Sequence, residues 1–226
     1  MEAEHWEACA ELSHGRIFHE IEDDGEHGLV ALGGIVGMET RGRVRAIERV
    51  SLEPTGSASS VVIERMTVPA PCASRNRFGM FQEGRSIFLF GGNNSLGQHD
   101  FEPENFVDET WRLDLGNLEW AKLADLPVPR QTMQVAADLS GGRAFAVGGF
   151  GHNGEEAVTQ SGTWVYEVEF DDWTRGPELL GTRTQFGLVP RGDELWVFGG
   201  LDYDPTRPKG EEFDHRLDVL RWDGHA

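Results

Sequence analysis

The chain has 226 residues, 39 of them Asp or Glu and 20 Lys or Arg, for a formal charge of −19. Such a field repels phosphate backbones and anionic lipid surfaces, so nucleic-acid and membrane partners are set aside; no apolar run reaches the ~18 residues of a spanning helix. A composition of 38% hydrophobic and 26% charged residues is that of a soluble globular chain, read as one domain over residues 1–226.

The N-terminal stretch MEAEHWEACAELSHG is acidic and lacks the basic-then-apolar order of an export signal, so a cytoplasmic protein is expected. Cys9 and Cys72 have no metal-ligand spacing and read as buried thiols. Trp6 is followed ten residues later by Arg16, and the same interval separates Trp120 from Arg130 and Trp173 from Arg183. In the second unit Ile63 stands near the Trp position, and Arg75 follows a connection two residues longer. Each Arg opens a strand. A turn comes next, and 16 to 18 residues after the Arg an apolar strand ends in two glycines: LVALGG at 29–34, IFLFGG at 87–92, AFAVGG at 144–149 and LWVFGG at 195–200. The doublets recur at intervals of 58, 57 and 51 residues, and glycine after so bulky a strand predicts a close approach of neighbouring backbone that a side chain would block. An irregular polar stretch follows each doublet. A third strand then ends in an aromatic residue or Leu and an acid (Arg49–Pro54, Trp111–Asp114, Trp164–Glu167, Leu220–Asp223), and a fourth strand, Trp-bearing in most units, closes the unit. Short, evenly spaced strands with Gly, Pro and Asp turns predict an all-β fold.

The glycine doublet, the aromatic-acid strand end, the Trp six to nine residues later and the Arg ten beyond resemble the kelch repeat, whose period this is. The resemblance covers essentially the whole chain. It implies a kelch-type β-propeller in which each first strand lines a central channel and each fourth strand the rim; Gly79, Ala136, Ala137 and Gly187 suit a narrow channel. The chain begins with a lone fourth strand and stops after a third. The expected closure therefore pairs residues near 4–11 with residues near 217–223 in a ring of four blades. An open array or an assembly of two chains is the alternative, so a homo-oligomer stays open.

Loops 35–44, 93–108, 150–161 and 201–216 emerge on one face, where a rigid ring positions variable segments for binding. Arg16, Arg75, Arg130 and Arg183 would enter the channel region from that face. They would either fork-bind carboxylates or tie blades together through carbonyls and neighbouring acids. The stretch RNRFGM at 75–80 resembles the one with which substrate-adaptor kelch domains hold acidic peptides, which implies that Asn76 and Arg77 face a ligand. The corresponding residues Phe18, Thr132 and Gln185 do not reproduce a multi-arginine pocket. His99, Asp100, His152, Asp202, Asp204, Glu211, Glu212, Asp214 and His215 form the densest polar collection. Without a metal-binding spacing they read as solvated loop charge, and no metal or other cofactor is expected. No phosphate loop, nucleophile elbow or dinucleotide fingerprint is present.

The expected function is a scaffold that binds a protein or peptide through the loop face. The candidate ligand residues are Arg75, Asn76, Arg77, Arg130, Arg183, Gln185, His99, His152, Tyr203 and Asp204, beside the aromatic residues Phe101, Phe106 and Phe150. The competing expectation is a small-molecule enzyme, sugar mutarotase-like or metal-dependent lyase-like. It requires Arg75, Arg77 or Arg183 within reach of a Glu or Asp of loop 201–216, and no catalytic residue is assigned.

Overall fold

A computed structural model describes residues 11–12, 15–23, 28–36, 42–43, 46–55, 58–67, 75–95, 101–138 and 141–224. The expected pairing of residues 4–11 with the C-terminal strand, both cysteines, His99 and Asp100 fall outside these residues. Among the described residues no helix is long and apolar enough to cross a membrane.

Four antiparallel sheets follow one another along the chain, each a meander in which strands adjacent in sequence are adjacent in space. The first holds Glu20–Asp23, Gly28–Leu32, Ala46–Thr55 and Ala58–Thr67. The second holds Gly79–Glu83, Ser86–Phe90, Thr110–Asp114 and Trp120–Leu123. The third holds Gln134–Ala137, Arg143–Val147, Thr163–Glu167 and Asp172–Arg175. Gly187–Arg191, Glu194–Phe198 and Val219–Trp222 make up the fourth. These are the units expected from the repeat. The first strands of successive sheets pack side by side from the first sheet to the fourth.

Glycine-ended strands are apolar on both faces because the inner sheets are covered on both sides. Val30, Leu32 and Ile47 of the first sheet meet Met80, Ile87, Leu89 and Leu113 of the second. Phe81, Phe88 and Phe90 of the second meet Ala144, Ala146, Tyr166 and Trp173 of the third, and Phe145, Val147 and Val165 of the third meet Leu195 and Val197 of the fourth. Phe90 is fully buried, with Trp173 edge-on at 5.0 Å. Burial of a side chain of this size contributes about 1.5–3 kcal/mol. The two outer faces differ. Ile21 and Leu29, at the positions of buried Met80 and Ile87, are 52% and 47% exposed, and Val189 and Phe198, at the positions of Phe81 and Phe90, are 49% and 46% exposed.

The arginine and the glycine doublet form one clamp. Arg16, Arg75, Arg130 and Arg183 each donate from Nη1 to the carbonyl of the first glycine in their own unit, at 3.3, 3.4, 2.9 and 3.1 Å. The second glycine donates its amide to the arginine carbonyl of the next sheet: Gly34 to Arg75 at 3.0 Å, Gly92 to Arg130 at 2.8 Å and Gly149 to Arg183 at 3.0 Å. A Cβ on Gly91 or Gly148 would lie 2.6 Å from that same carbonyl oxygen, so the sheets meet where no side chain fits.

The loops after the doublets are more regular than the irregular stretches expected. Ile35–Val36 pairs with Gly42–Arg43, Phe150–His152 with Ala157–Thr159, and Leu201–Tyr203 with Phe213–His215. Runs of two or three residues are too short for period-2 alternation to register against charged neighbours.

Candidate ligand-binding mouth

Two residues after each repeat arginine the backbone turns left-handed: φ is +58° at Phe18, +55° at Arg77, +49° at Thr132 and +52° at Gln185. None of these is glycine, and the conformation costs roughly 1–2 kcal/mol for an L-residue. Hydrogen bonds between sheets hold it. Arg77 N–H donates to the Phe18 carbonyl at 3.2 Å and Thr132 N–H to the Arg77 carbonyl at 2.8 Å. In the next step the Thr184 hydroxyl takes over, donating to the Thr132 carbonyl at 3.0 Å. The four left-handed side chains consequently point into one cavity of about 450 Å³, walled also by Phe101, Gln131, Phe150, Thr184, Leu201, Tyr203, Glu212 and Phe213.

Rings from three loops make the wall continuous. Phe101 and Phe106 lie 5.0 and 6.0 Å from Phe150, Phe150 lies 5.8 Å from Tyr203, and Tyr203 lies 4.9 Å from Phe213. Opposite, the Arg77 guanidinium sits 3.7 Å over the Phe18 ring, where burial holds its pKa below the usual value. Asn76 is fully buried; it donates to the Asn93 carbonyl at 3.0 Å and accepts from Arg77 Nη1 at 2.7 Å. It therefore orients Arg77 rather than lining the cavity.

Of the candidate residues, the cavity brings together Arg77, Gln185 and Tyr203. Arg75, Arg130 and Arg183 are at most 2% exposed and lie in the clamps. Arg75 is paired with Glu109, and Arg183 donates to both Asp218 carboxylate oxygens at 3.0 and 2.9 Å. That hydrogen bond holds Asp218 below the usual carboxylate range. Arg130 donates to the Gly148 and Gly162 carbonyls at 2.9 and 3.0 Å, and burial pulls its pKa down to about 10. His152 accepts the Gly154 amide at 3.0 Å within its own turn, and Asp204 accepts the Thr206 amide and hydroxyl at 2.9 and 2.6 Å.

Asp202 has a larger part than the sequence implied. It is 3% exposed and accepts from Thr182 Oγ1 at 2.6 Å and Arg216 Nη2 at 3.0 Å, as well as from Thr159 and Arg207. Burial alone would raise its pKa, but the threonine and Arg207 hydrogen bonds outweigh it and hold the carboxyl below its ordinary value. Asp202 thus pins loop 201–216 and the rings it carries. Among the described residues, no three His, Cys, Asp or Glu side chains are placed to hold a metal ion. Sequence reasoning missed Phe213, Gln131 and Thr184 as wall residues. Phe213 is hidden in the acidic run EEFDH, and the other two differ from their counterparts in every unit.

No family model matches the chain. In sequence it is similar to Kelch-like protein 25 of Homo sapiens, 25% identical over 133 residues, which is 59% of this chain and 19% of that protein. It is also similar to Beta-scruin of Limulus polyphemus, 26% identical over 131 residues, 57% of this chain and 13% of that one. In structure it is similar to YjhT with a TM-score of 0.59 and 12% identity, over 91% of this chain and 64% of that one. The chain therefore spans less than a fifth of the length of these curated relatives.

Proposed function

We propose that this kelch-repeat chain, whose sheets are blades of a β-propeller, is a binding scaffold that takes a segment of a protein or peptide into the mouth cavity. The observation that carries the reading is the convergence of four repeat-equivalent left-handed residues and the Phe101–Phe150–Tyr203–Phe213 wall on one cavity. Aromatic walls supply contact area at little conformational cost, which suits them to an apolar anchor side chain. Arg77, Gln131 and Gln185 supply donors for the carbonyls or carboxylate of an extended segment. The charge of −19 steers basic or neutral partners toward the mouth at low salt, while Arg77 acts at short range. The enzymatic alternative placed arginines against loop 201–216. Two of those arginines, Arg75 and Arg183, are engaged by Glu109 and Asp218, which leaves that reading only Arg77 and Glu212, both on the cavity wall.

The test is selection of a phage-displayed random peptide library on the immobilised chain, followed by calorimetry with the selected peptides. The expected peptides carry an aromatic or aliphatic anchor, and Tyr203→Ser, Phe213→Ser or Arg77→Gln weakens them tenfold or more. Peptides that bind all three variants as tightly as the parent chain would place recognition elsewhere and overturn the proposal.

A further inference from the structure

The third sheet lacks a carboxylate that its neighbours have. In the second sheet the repeat arginine Arg75 and the indole of Trp111 share one acceptor, Glu109: Trp111 Nε1 donates to Glu109 Oε2 at 3.1 Å, and Arg75 Nη2 bonds the same oxygen. In the fourth sheet Asp218 stands at that position and takes Arg183. In the third sheet the position is Gly162. The equivalence rests on backbone bonds: Gly91, Gly148 and Gly199 donate their amides to the carbonyls of Glu109, Gly162 and Asp218 at 3.2, 3.1 and 3.0 Å. In addition, Arg75 and Arg130 donate from Nη1 to the carbonyls of Glu109 and Gly162, both at 3.0 Å.

With the side chain missing, its two donors remain. A Cβ built on Gly162 would lie 3.7 Å from Arg130 Nη2 and 3.9 Å from both Arg130 Nη1 and Trp164 Nε1. Arg130 is 2% exposed and, among the described residues, hydrogen-bonds only to the carbonyls of Val128, Gly148 and Gly162. It is a buried guanidinium with no carboxylate, and Arg175 adds further positive field. Leaving a buried cation without an anion is costly, so the site favours any anion that can enter. None of these residues lines the mouth cavity.

We propose that the gap beside Gly162 is a binding site for a single carboxylate, held by Arg130 Nη2 and Trp164 Nε1 as Glu109 is held by Arg75 and Trp111. A carboxylate is the group that the equivalent donors hold in the second sheet, where Arg75 Nη2 and Trp111 Nε1 converge on one oxygen, Glu109 Oε2, and a charge-assisted bond of that kind is among the strong ones. Its source is either a small free carboxylate or an Asp or Glu side chain of a partner.

The indole N–H resonance of Trp164, assigned with Trp164→Phe, reads the site directly. Sodium acetate is expected to shift it saturably in the millimolar range, while sodium chloride at matched ionic strength does not. Gly162→Glu supplies the missing side chain in cis. Gly162 has no left-handed φ and an added Cβ meets only ordinary contact distances, so this variant is expected to fold, to melt a few degrees higher and to lose the response to acetate. Arg130→Lys, which keeps the charge but loses the fork, is expected to weaken acetate several-fold. A blocked Gly-Glu-Gly peptide separates the two sources: binding tenfold tighter than acetate, absent from the Gln peptide, assigns a partner side chain, and equal binding assigns a free carboxylate. No saturable shift, an equal shift with chloride, or an unchanged acetate response in Gly162→Glu would each overturn the proposal.

Discussion

Replacing Gly148 with Ala tests the close approach of sheets on which the architecture rests, and Gly192→Ala is its matched control. The two glycines have nearly the same backbone, φ +58° and +59°, so each alanine carries the same left-handed strain of roughly 1–2 kcal/mol. Their surroundings differ. A Cβ on Gly192 meets nothing within 4 Å, whereas on Gly148 it would lie 2.6 Å from the Arg183 carbonyl oxygen and 2.9 Å from Phe186 Cε1. Relief requires the third and fourth sheets to part by the better part of an ångström. That stretches the bond from Gly149 N–H to the Arg183 carbonyl, now 3.0 Å. Overpacking of this kind adds about 1–3 kcal/mol. Gly148→Ala is therefore expected to lose about 2–5 kcal/mol in urea unfolding and Gly192→Ala only about 1–2. At roughly 2–4 °C per kcal/mol for a chain of this size, calorimetry should separate their melting temperatures by several degrees. If both variants lose the same stability to within about 0.5 kcal/mol, the doublets do not exist to let backbones meet, and the clamp is misread.

Other consequences are equally direct. Asp202→Asn removes the charge that gathers Arg207, Arg216, Thr159 and Thr182, and hydrogen exchange should show loss of protection in the Leu201–Tyr203 and Phe213–His215 ribbon. Because the folded pKa of Asp202 is depressed, its contribution is complete above the unfolded value of ~3.9 and is lost as pH falls below it; the variant should not show that loss. Glu20 and Glu22 run the other way. Burial first, then Glu22 beside Glu20 and Asp23 beside Glu22, push both up to about 7. The folded state thus holds protons the unfolded chain has released, and stability should fall from about pH 4.5 to about pH 7. Urea midpoints across that range should flatten in Glu20→Gln with Glu22→Gln. Arg183→Met leaves the part-buried carbonyls of Gly199 and Leu180 without this donor and is expected to cost about 1–3 kcal/mol in urea unfolding, less than a fully buried pair because Asp218 is partly solvated.

The order of strands, the grouping of the first three units into four-stranded sheets and the interfaces at the glycine doublets were legible in the sequence because each rests on local chemistry. Bulky strands ending in Gly33, Gly91, Gly148 and Gly199 recur in phase, and an arginine precedes each at a nearly constant distance. The local pattern could not say where those arginines point. A guanidinium that enters the channel and one that folds back onto its own glycine carbonyl have the same sequence spacing. The backbone path through the doublet, with its free carbonyl, decides for the latter. Nor could it collect Phe18, Arg77, Thr132 and Gln185 at one mouth with Phe213. These residues are far apart along the chain, and only the side-by-side packing of the first strands carries each left-handed residue to the same opening. The vacancy at Gly162 is of the same kind. As one glycine among 29 it means nothing until superposition of repeat on repeat shows which side chain its neighbours have there and which donors are left behind.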